Sequence, residues 1–399
     1  MLEFHIQFAL HVPEIPLSVL ACGALGAAQF ALTGRFYWSV RRQFLAQKNS
    51  KKEPAPAVAV IVPCAGDVFA LEDNVAALLR QDYSGFVEVV FVVPSPEDPA
   101  YARIRRAIPD SDRVRLCAEP DFRRARVAKL ASLLHGIDRA SPRAEVFVFA
   151  DADLRVGADW LSELVWALEP GDASVATSAM VYAPERASLG SWLRMAWVGA
   201  GIPYLDATGC VTFQSCAIRR RDFDALGAAK LWERSLVDDL ALRGLIRARG
   251  GRVRFCARAI SSSGEGCGAR EFLSQMNRWM LGFRVYAPDI WLLGALVTAL
   301  KIALFALAAR SGSLRLAATV AGLDALNLYA VFSIYRRFIP ERFAACAWRR
   351  YPIAAALAAP VLTPVYALNF AVSLCARRVR WGDVTYRVRG PENVERLPH

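Results

Sequence analysis

The stretch EVFVFADADL, residues 145–154, decides the fold class. Its first six residues form an apolar run of strand length, and two carboxylates, Asp151 and Asp153, follow at once. Similar apolar runs occupy 57–62, 87–93 and 113–117. Amphipathic helix patterns lie between the runs, and such alternation predicts a mostly parallel sheet covered on both faces. We therefore expect one α/β domain over 57–287, with ligands bound at the carboxyl ends of its strands.

Four more apolar stretches flank this domain and have the length of membrane segments: 16–34, 290–309, 314–335 and 352–376. No Lys or Arg precedes the first, which disfavours a signal peptide, and basic residues follow it, which places the domain in the cytoplasm. The predicted organisation is a membrane helix in 1–34, a basic linker 35–56, the domain 57–287, two to three membrane helices in 288–376 and a basic tail 377–399.

The last apolar stretch leaves two topologies open. It contains Pro360 and Pro364, so it is either a kinked span or a re-entrant segment. Three full spans after the domain would put the basic tail outside, against the positive-inside rule, whereas a re-entrant segment would keep it inside.

Charge and composition narrow the function. The net charge is +12, but the basic residues flank apolar runs and are not interleaved with aromatic residues, which favours membrane anchoring and phosphate binding over nucleic acid. The nine cysteines lack metal or disulfide spacing, and the four histidines include a single one, His135, away from the chain ends. Carboxylates must therefore carry any acid–base chemistry.

Asp151 and Asp153 form one of three D-x-D patterns, and the only one that directly follows a buried strand. Two carboxylates there could hold Mg²⁺ or Mn²⁺ bridging a diphosphate, or they could be turn and helix-cap residues. Asp238 and Asp239 precede a helix pattern, where one could be a general base or both could simply favour the helix N-terminus.

The third candidate motif is QMNRW at 275–279. On a helix, Gln275, Arg278 and Trp279 share a face. Arg suits a leaving diphosphate, and Trp can pack on a sugar or lipid or belong to an interfacial aromatic belt.

These motifs occur in an order that resembles the inverting glycosyltransferases of the GT-A fold: strand-DAD, TGCVTFQSCAIRRRDFDALG, VDDLALRGLIRARGGRV, QMNRW, then membrane segments. The chain looks most like the ceramide glucosyltransferase family, and bacterial hopanoid-associated glycosyltransferases share the pattern. The resemblance implies that Asp151 and Asp153 bind metal and donor diphosphate and that Asp239 is the catalytic base, with Asp238 beside it. It further implies that Gln275, Arg278 and Trp279 bind diphosphate and acceptor, and that Lys129 lies near the donor.

The chain departs from the family at one position. An acidic residue usually follows the second strand and contacts uracil, but Ser95 stands there in this sequence. Glu97, Asp98 or Asp67 could substitute for it.

The resemblance implies transfer of glucose from UDP-glucose to the primary hydroxyl of ceramide, by a multi-pass protein of a bacterial inner membrane. Transfer of N-acetylglucosamine to a hopanoid, a polymerising synthase and a non-catalytic membrane protein of the same fold are the alternatives. A synthase would carry more spans to form its channel.

Overall fold

The structure is a computed structural model that describes residues 16–46, 55–118, 120–169, 173–382 and 384–397. Most of the predicted linker around 48–56 lies outside these ranges. The helices are α1 Leu17–Leu45, α2 Leu71–Leu79, α3 Pro99–Ala107, α4 Ala128–Arg139, α5 Trp160–Trp166, α6 Leu189–Thr208, α7 Arg220–Leu226, α8 Ala228–Trp232, α9 Asp239–Ala248, α10 Ala269–Tyr286, α11 Pro288–Ser311, α12 Leu314–Phe338, α13 Tyr351–Leu357 and α14 Ala359–Cys375. The strands are β1 Val58–Pro63, β2 Val87–Val92, β3 Val114–Cys117, β4 Val146–Ala150, β5 Val175–Thr177, β6 Met180–Tyr182, β7 Ser215–Arg219, β8 Val253–Phe255, β9 Ser261–Ser263, β10 Arg378–Trp381, β11 Val384–Gly390 and β12 Asn393–Arg396.

The central sheet has the strand order β3-β2-β1-β4-β7-β5-β8. Its first four strands, which are the four predicted ones, are parallel, and β7 runs antiparallel between β4 and β5. Strand alternation separates two cores: Val58, Val60 and Val62 face one, and Ala59 and Ile61 face the other. The predicted fold class, a mostly parallel α/β sheet domain with membrane helices at both ends of the chain, is confirmed.

Among the described residues, three helices are long and apolar enough to cross a membrane: α1, α11 and α12. Helix α1 continues past the predicted apolar run to Leu45, so the first part of the expected linker is helical. Helices α11 and α12 form the predicted hairpin, and Gly312 between them has a φ of +63° that a residue with a Cβ rarely adopts.

Helices α13 and α14 form a bent pair, with an angle of 59° at the break between them. The segment before α13 touches the α/β domain, because the Ala347 amide donates to the Pro184 carbonyl at 2.9 Å. The segment after α14 also touches it, because Arg284 donates to the Leu374 and Ala376 carbonyls at 2.8 and 2.7 Å. Both ends of the bent pair therefore contact the α/β domain, and the kinked span and the re-entrant segment both stay predictions.

The segment after residue 376 is expected from the sequence only as a basic tail, but it folds. Strands β10, β11 and β12 form an antiparallel sheet, hereafter the tail sheet. Its buried residues Val379, Tyr386, Val388 and Val394 share one apolar core with the α/β domain. Alternation along the tail strands places these side chains inward and many of the arginines outward.

Candidate active site

A lysine joins two carboxylates at the carboxyl end of β4. Asp151 follows this strand, Lys129 lies in the first turn of α4, and Asp238 precedes α9. The Lys129 Nζ lies 2.8 Å from Asp151 Oδ1 and 3.0 Å from Asp238 Oδ2. The Lys129 and Asp151 side chains are 22% and 23% exposed and that of Asp238 only 5%, so the contacts are weakly screened by water. The fold thus brings three predicted site residues into one cluster.

Asp239 lies in the same cluster, at the first position of α9. Burial, and then the Asp238 carboxylate, raise the pKa of its carboxyl to about 7, while the Leu240 amide and Lys129 oppose the shift. The Leu240 amide donates to Asp239 Oδ1 at 2.6 Å and fixes the carboxyl. A carboxyl with such a pKa can accept a proton at neutral pH, as a general base must.

Asp153 is the second acid of the D-x-D pattern. Burial, and then the nearby Asp151 and Glu265 carboxylates, raise the pKa of Asp153 to about 7. Among the described residues no Lys or Arg pairs with it, and no three His, Cys, Asp or Glu side chains converge as a metal site. Asp151 and Asp153 fit a divalent cation, because they are hard oxygen donors whose mutual repulsion the cation would relieve. Water and phosphate oxygens would have to complete the coordination.

Gln275 is held in a network of polar side chains. Its Nε2 donates to the Tyr182 hydroxyl at 3.2 Å, and its Oε1 accepts from Arg194 Nη1 at 3.3 Å. The Arg194 guanidinium is almost fully buried, lies 4.0 Å from the Tyr182 ring centroid and pairs with Glu265 at 3.2 Å. The sequence patterns did not single out Arg194, Tyr182 or Glu265, because these residues come from α6, β6 and the loop after β9 and share no local motif.

Arg278 and Trp279 on α10 contact different neighbours. The Arg278 guanidinium carbon lies 4.9 Å from the centroid of the Trp381 ring, in the tail sheet. Burial lowers the pKa of Arg278, while Tyr182 and Asp151 oppose the shift. Trp279 lies instead against Trp197 of α6, with ring centroids 6.1 Å apart, and Trp197 stacks on Tyr366 of α14 at 5.3 Å.

The acidic candidates near Ser95 are engaged with the protein. The Asp98 carboxylate caps α3 by accepting from the Ala100 amide at 2.9 Å, and it also accepts from the Gly66 amide at 2.9 Å. The Asp67 carboxylate pairs with Arg103 at 2.7 Å. Glu97 is exposed, and its amide donates to the Ser95 hydroxyl at 3.3 Å.

Comparison with known proteins places this arrangement in a class of enzymes, the glycosyltransferases. The chain matches the model of Glycosyl transferase family 21 over residues 25–394, which take in α1, the α/β domain, the C-terminal helices and most of the tail sheet. It therefore belongs to this family, the ceramide glucosyltransferase family, as the motif order indicated. No curated protein matches the chain.

Several solved structures are similar. A mannosyltransferase from Pyrobaculum calidifontis, solved with GDP-Man and Mn²⁺, is 19% identical, with a TM-score of 0.47 over 86% of this chain and 99% of that one. A glucosyl-3-phosphoglycerate synthase from Mycobacterium tuberculosis, solved with phosphoglyceric acid, is 16% identical, with a TM-score of 0.35 over 55% of this chain and 75% of that one. GalNAc-T7, solved with UDP, GalNAc and Mn²⁺, is 12% identical, with a TM-score of 0.38 over 53% of this chain and 44% of that one.

Proposed function

We propose that the chain transfers a sugar from a nucleotide-sugar donor to the hydroxyl of a membrane lipid, with inversion at the anomeric carbon. The observation that carries the proposal is the Lys129, Asp151, Asp238 and Asp239 cluster at the carboxyl end of β4, within a family 21 chain that has three candidate membrane spans. A ligand site at this edge of a parallel sheet, close to membrane helices, suits a soluble donor and a lipid acceptor.

On the donor side, we propose that Arg278 and Lys129 stabilise the negative charge that develops on the leaving diphosphate. Arg278 has no carboxylate within salt-bridge distance among the described residues, so its guanidinium is available to an anionic ligand. A Mg²⁺ or Mn²⁺ ion held by Asp151 and Asp153 would neutralise further diphosphate charge. Gln275, fixed by Tyr182 and Arg194, is placed to donate or accept a hydrogen bond without losing conformational entropy on binding.

On the acceptor side, we assign the proton transfer to Asp239. Its pKa of about 7 leaves it substantially ionised at neutral pH, so it can take the hydroxyl proton as the oxygen attacks the anomeric carbon. Asp238 pairs with Lys129 and holds the cluster together. The stacked Trp279, Trp197 and Tyr366 rings join α10 to α14, and they offer an apolar surface to the acceptor lipid where the domain meets the membrane segment.

The family resemblance supports UDP-glucose as donor and ceramide as acceptor, with the α/β domain in the cytoplasm of a bacterial inner membrane. Asp98 and Asp67 bind Gly66 and Arg103, and we propose the exposed Glu97, close to Ser95, as the acidic residue that meets a uracil. Transfer of N-acetylglucosamine to a hopanoid remains the alternative that the shared motif pattern supports.

The purified protein with UDP-glucose, Mg²⁺ and ceramide should form glucosylceramide and release UDP. The Asp239→Asn variant should lose turnover and keep most of its donor affinity, because the amide cannot accept the proton but keeps the shape of the carboxyl. Absence of nucleotide release with any lipid acceptor would contradict the enzyme assignment, and unchanged turnover of Asp239→Asn would contradict the assignment of the base.

A further inference from the structure

The tail sheet contacts three of the elements that carry the proposed site. It meets α10, because Arg284 donates to the backbone just before the sheet and Trp381 lies on Arg278. It also lies against the start of α4, because the buried Tyr386 shares one apolar core with Val127 and Leu130, on either side of Lys129. A segment expected only to carry positive charge therefore forms one side of the site.

The third contact reaches the segment before Asp238. The Tyr286 hydroxyl accepts from the Leu236 amide at 2.7 Å and donates to the Pro391 carbonyl at 2.7 Å, in the turn between β11 and β12. Arg234 pairs with Glu392 of the same turn at 3.1 Å. One phenol thus joins the tail sheet to the loop that presents Asp238 and Asp239.

Trp381 is the tail residue that contacts Arg278. It ends β10, where the chain turns at Gly382 with a φ of +59°, and it is the register partner of Val384 across the hairpin. Val379 two residues earlier is buried in the shared core while Arg378 and Arg380 are exposed, so the strand alternation directs Trp381 inward too. The strand therefore directs the indole ring toward α10, where it meets Arg278.

The contact with Arg278 is made through the face of that ring, with 4.9 Å between the guanidinium carbon and the ring centroid. A guanidinium on an indole face keeps its N–H edges available, since the ring takes up only the flat side of the group. The edges can then donate to two phosphate oxygens at once. Within the QMNRW motif, the side chain that lies on the face of the Trp381 ring is that of Arg278.

We propose that Trp381 is a positioning residue that holds the Arg278 guanidinium against the leaving diphosphate, so that the tail sheet belongs to the donor site. The proposal rests on the proposed function, in which Arg278 binds the diphosphate. The side chain acts through Arg278 and touches neither sugar nor acceptor.

The test uses the full chain in lipid nanodiscs, with UDP-glucose and ceramide for turnover and UDP with Mn²⁺ for binding. Trp381→Leu should lower kcat/KM about three- to thirtyfold, with the loss mainly in kcat, and should weaken UDP binding. Trp381→Phe should recover most of both, because it keeps an aromatic face. Arg378→Ala, on the same strand but exposed, should match the wild type and serves as the control for a general effect of altering the tail.

A double-variant cycle separates positioning from structural support. In an Arg278→Gln background, Trp381→Leu should change turnover and UDP affinity by less than about twofold, because the group it positions is gone. Two outcomes would overturn the proposal. In one, the losses of the two single variants multiply in the double variant; in the other, Trp381→Leu behaves as the wild type while Arg278→Gln is impaired. If the wild type forms no product, the proposed function fails, and the same cycle measured by UDP affinity still decides the role of Trp381. UDP affinity unaffected by Arg278→Gln would overturn it as well.

Discussion

Replacing Lys129 by Met tests whether the cluster beneath the donor site is held by charge. The Lys129 Nζ contacts Asp151 at 2.8 Å and Asp238 at 3.0 Å, and the variant keeps most of the side-chain volume while removing both contacts. Loss of one partner from a buried ion pair costs about 3–5 kcal/mol, and partial exposure at 22% places the loss at the lower end. Since Lys129 is also assigned to the leaving diphosphate, we expect a similar free energy, about 3 kcal/mol, to be lost from the transition state, which is roughly two orders of magnitude in kcat/KM.

The assay is release of UDP from UDP-glucose in the presence of ceramide, measured across pH. We expect Lys129→Met to lose about 100-fold in kcat/KM at pH 7. We also expect its activity to need higher pH, because the Lys129 charge lowers the pKa of Asp239 and its removal lets that pKa rise.

Lys230→Met is the matched control, because Lys230 is an exposed lysine of α8. It should retain full activity. Lys129→Arg, which keeps the charge, should fold as the wild type does and lose less activity than Lys129→Met. A Lys129→Met protein that is monodisperse and within about threefold of wild-type kcat/KM would refute the reasoning.

Three further predictions concern other charged groups. In the wild type, kcat/KM should fall as pH drops below about 7, since Asp239, whose pKa burial raises to about 7, must be ionised to accept a proton; a flat profile from pH 5.5 to 8 would exclude this base. Mn²⁺ should raise the melting temperature more at pH 8 than at pH 6, because a proton on Asp153, whose pKa is about 7, competes with the cation. Equal increases in melting temperature at both pH values would argue against Asp153 as a ligand. Asp324→Leu should lower the melting temperature in detergent, because Asp324 of α12 pairs with Lys301 of α11 at 2.6 Å. The Asp324→Leu/Lys301→Met double variant should recover much of the loss, and no recovery would show that this pair does not link α11 to α12.

Much of the fold could be predicted because its signals are local. The apolar runs that became β1, β2 and β4 are each fully apolar or nearly so, as is typical of buried strands in a parallel sheet, and the D-A-D sequence directly after β4 located Asp151. The helix pattern after Asp238 and Asp239 likewise located the start of α9.

The rest could not be predicted because its signals are distributed. RVRW and VTYRVRG alternate arginine with apolar residues, and the same letters describe a membrane-facing basic tail or a strand whose inner face is apolar; only packing against α10 decides between them. Arg194, Glu265 and Tyr182 meet around Gln275 from three separate elements, so no spacing along the chain reveals them. The contacts of the segments around α13 and α14 with Pro184 and Arg284 come from residues far apart in the sequence, so hydropathy does not reveal them.

The central claim is that this chain transfers a sugar to a membrane lipid, and mass spectrometry of the lipids of a host that expresses it tests that claim most directly. We predict a new glycolipid, with its sugar and lipid both identified by its mass and fragments, in cells that make the wild-type chain. The glycolipid should be absent from cells that make Asp239→Asn at the same level. A lipid profile that is unchanged by the wild-type chain in a host supplied with ceramide, or a glycolipid that persists with Asp239→Asn, would contradict the account.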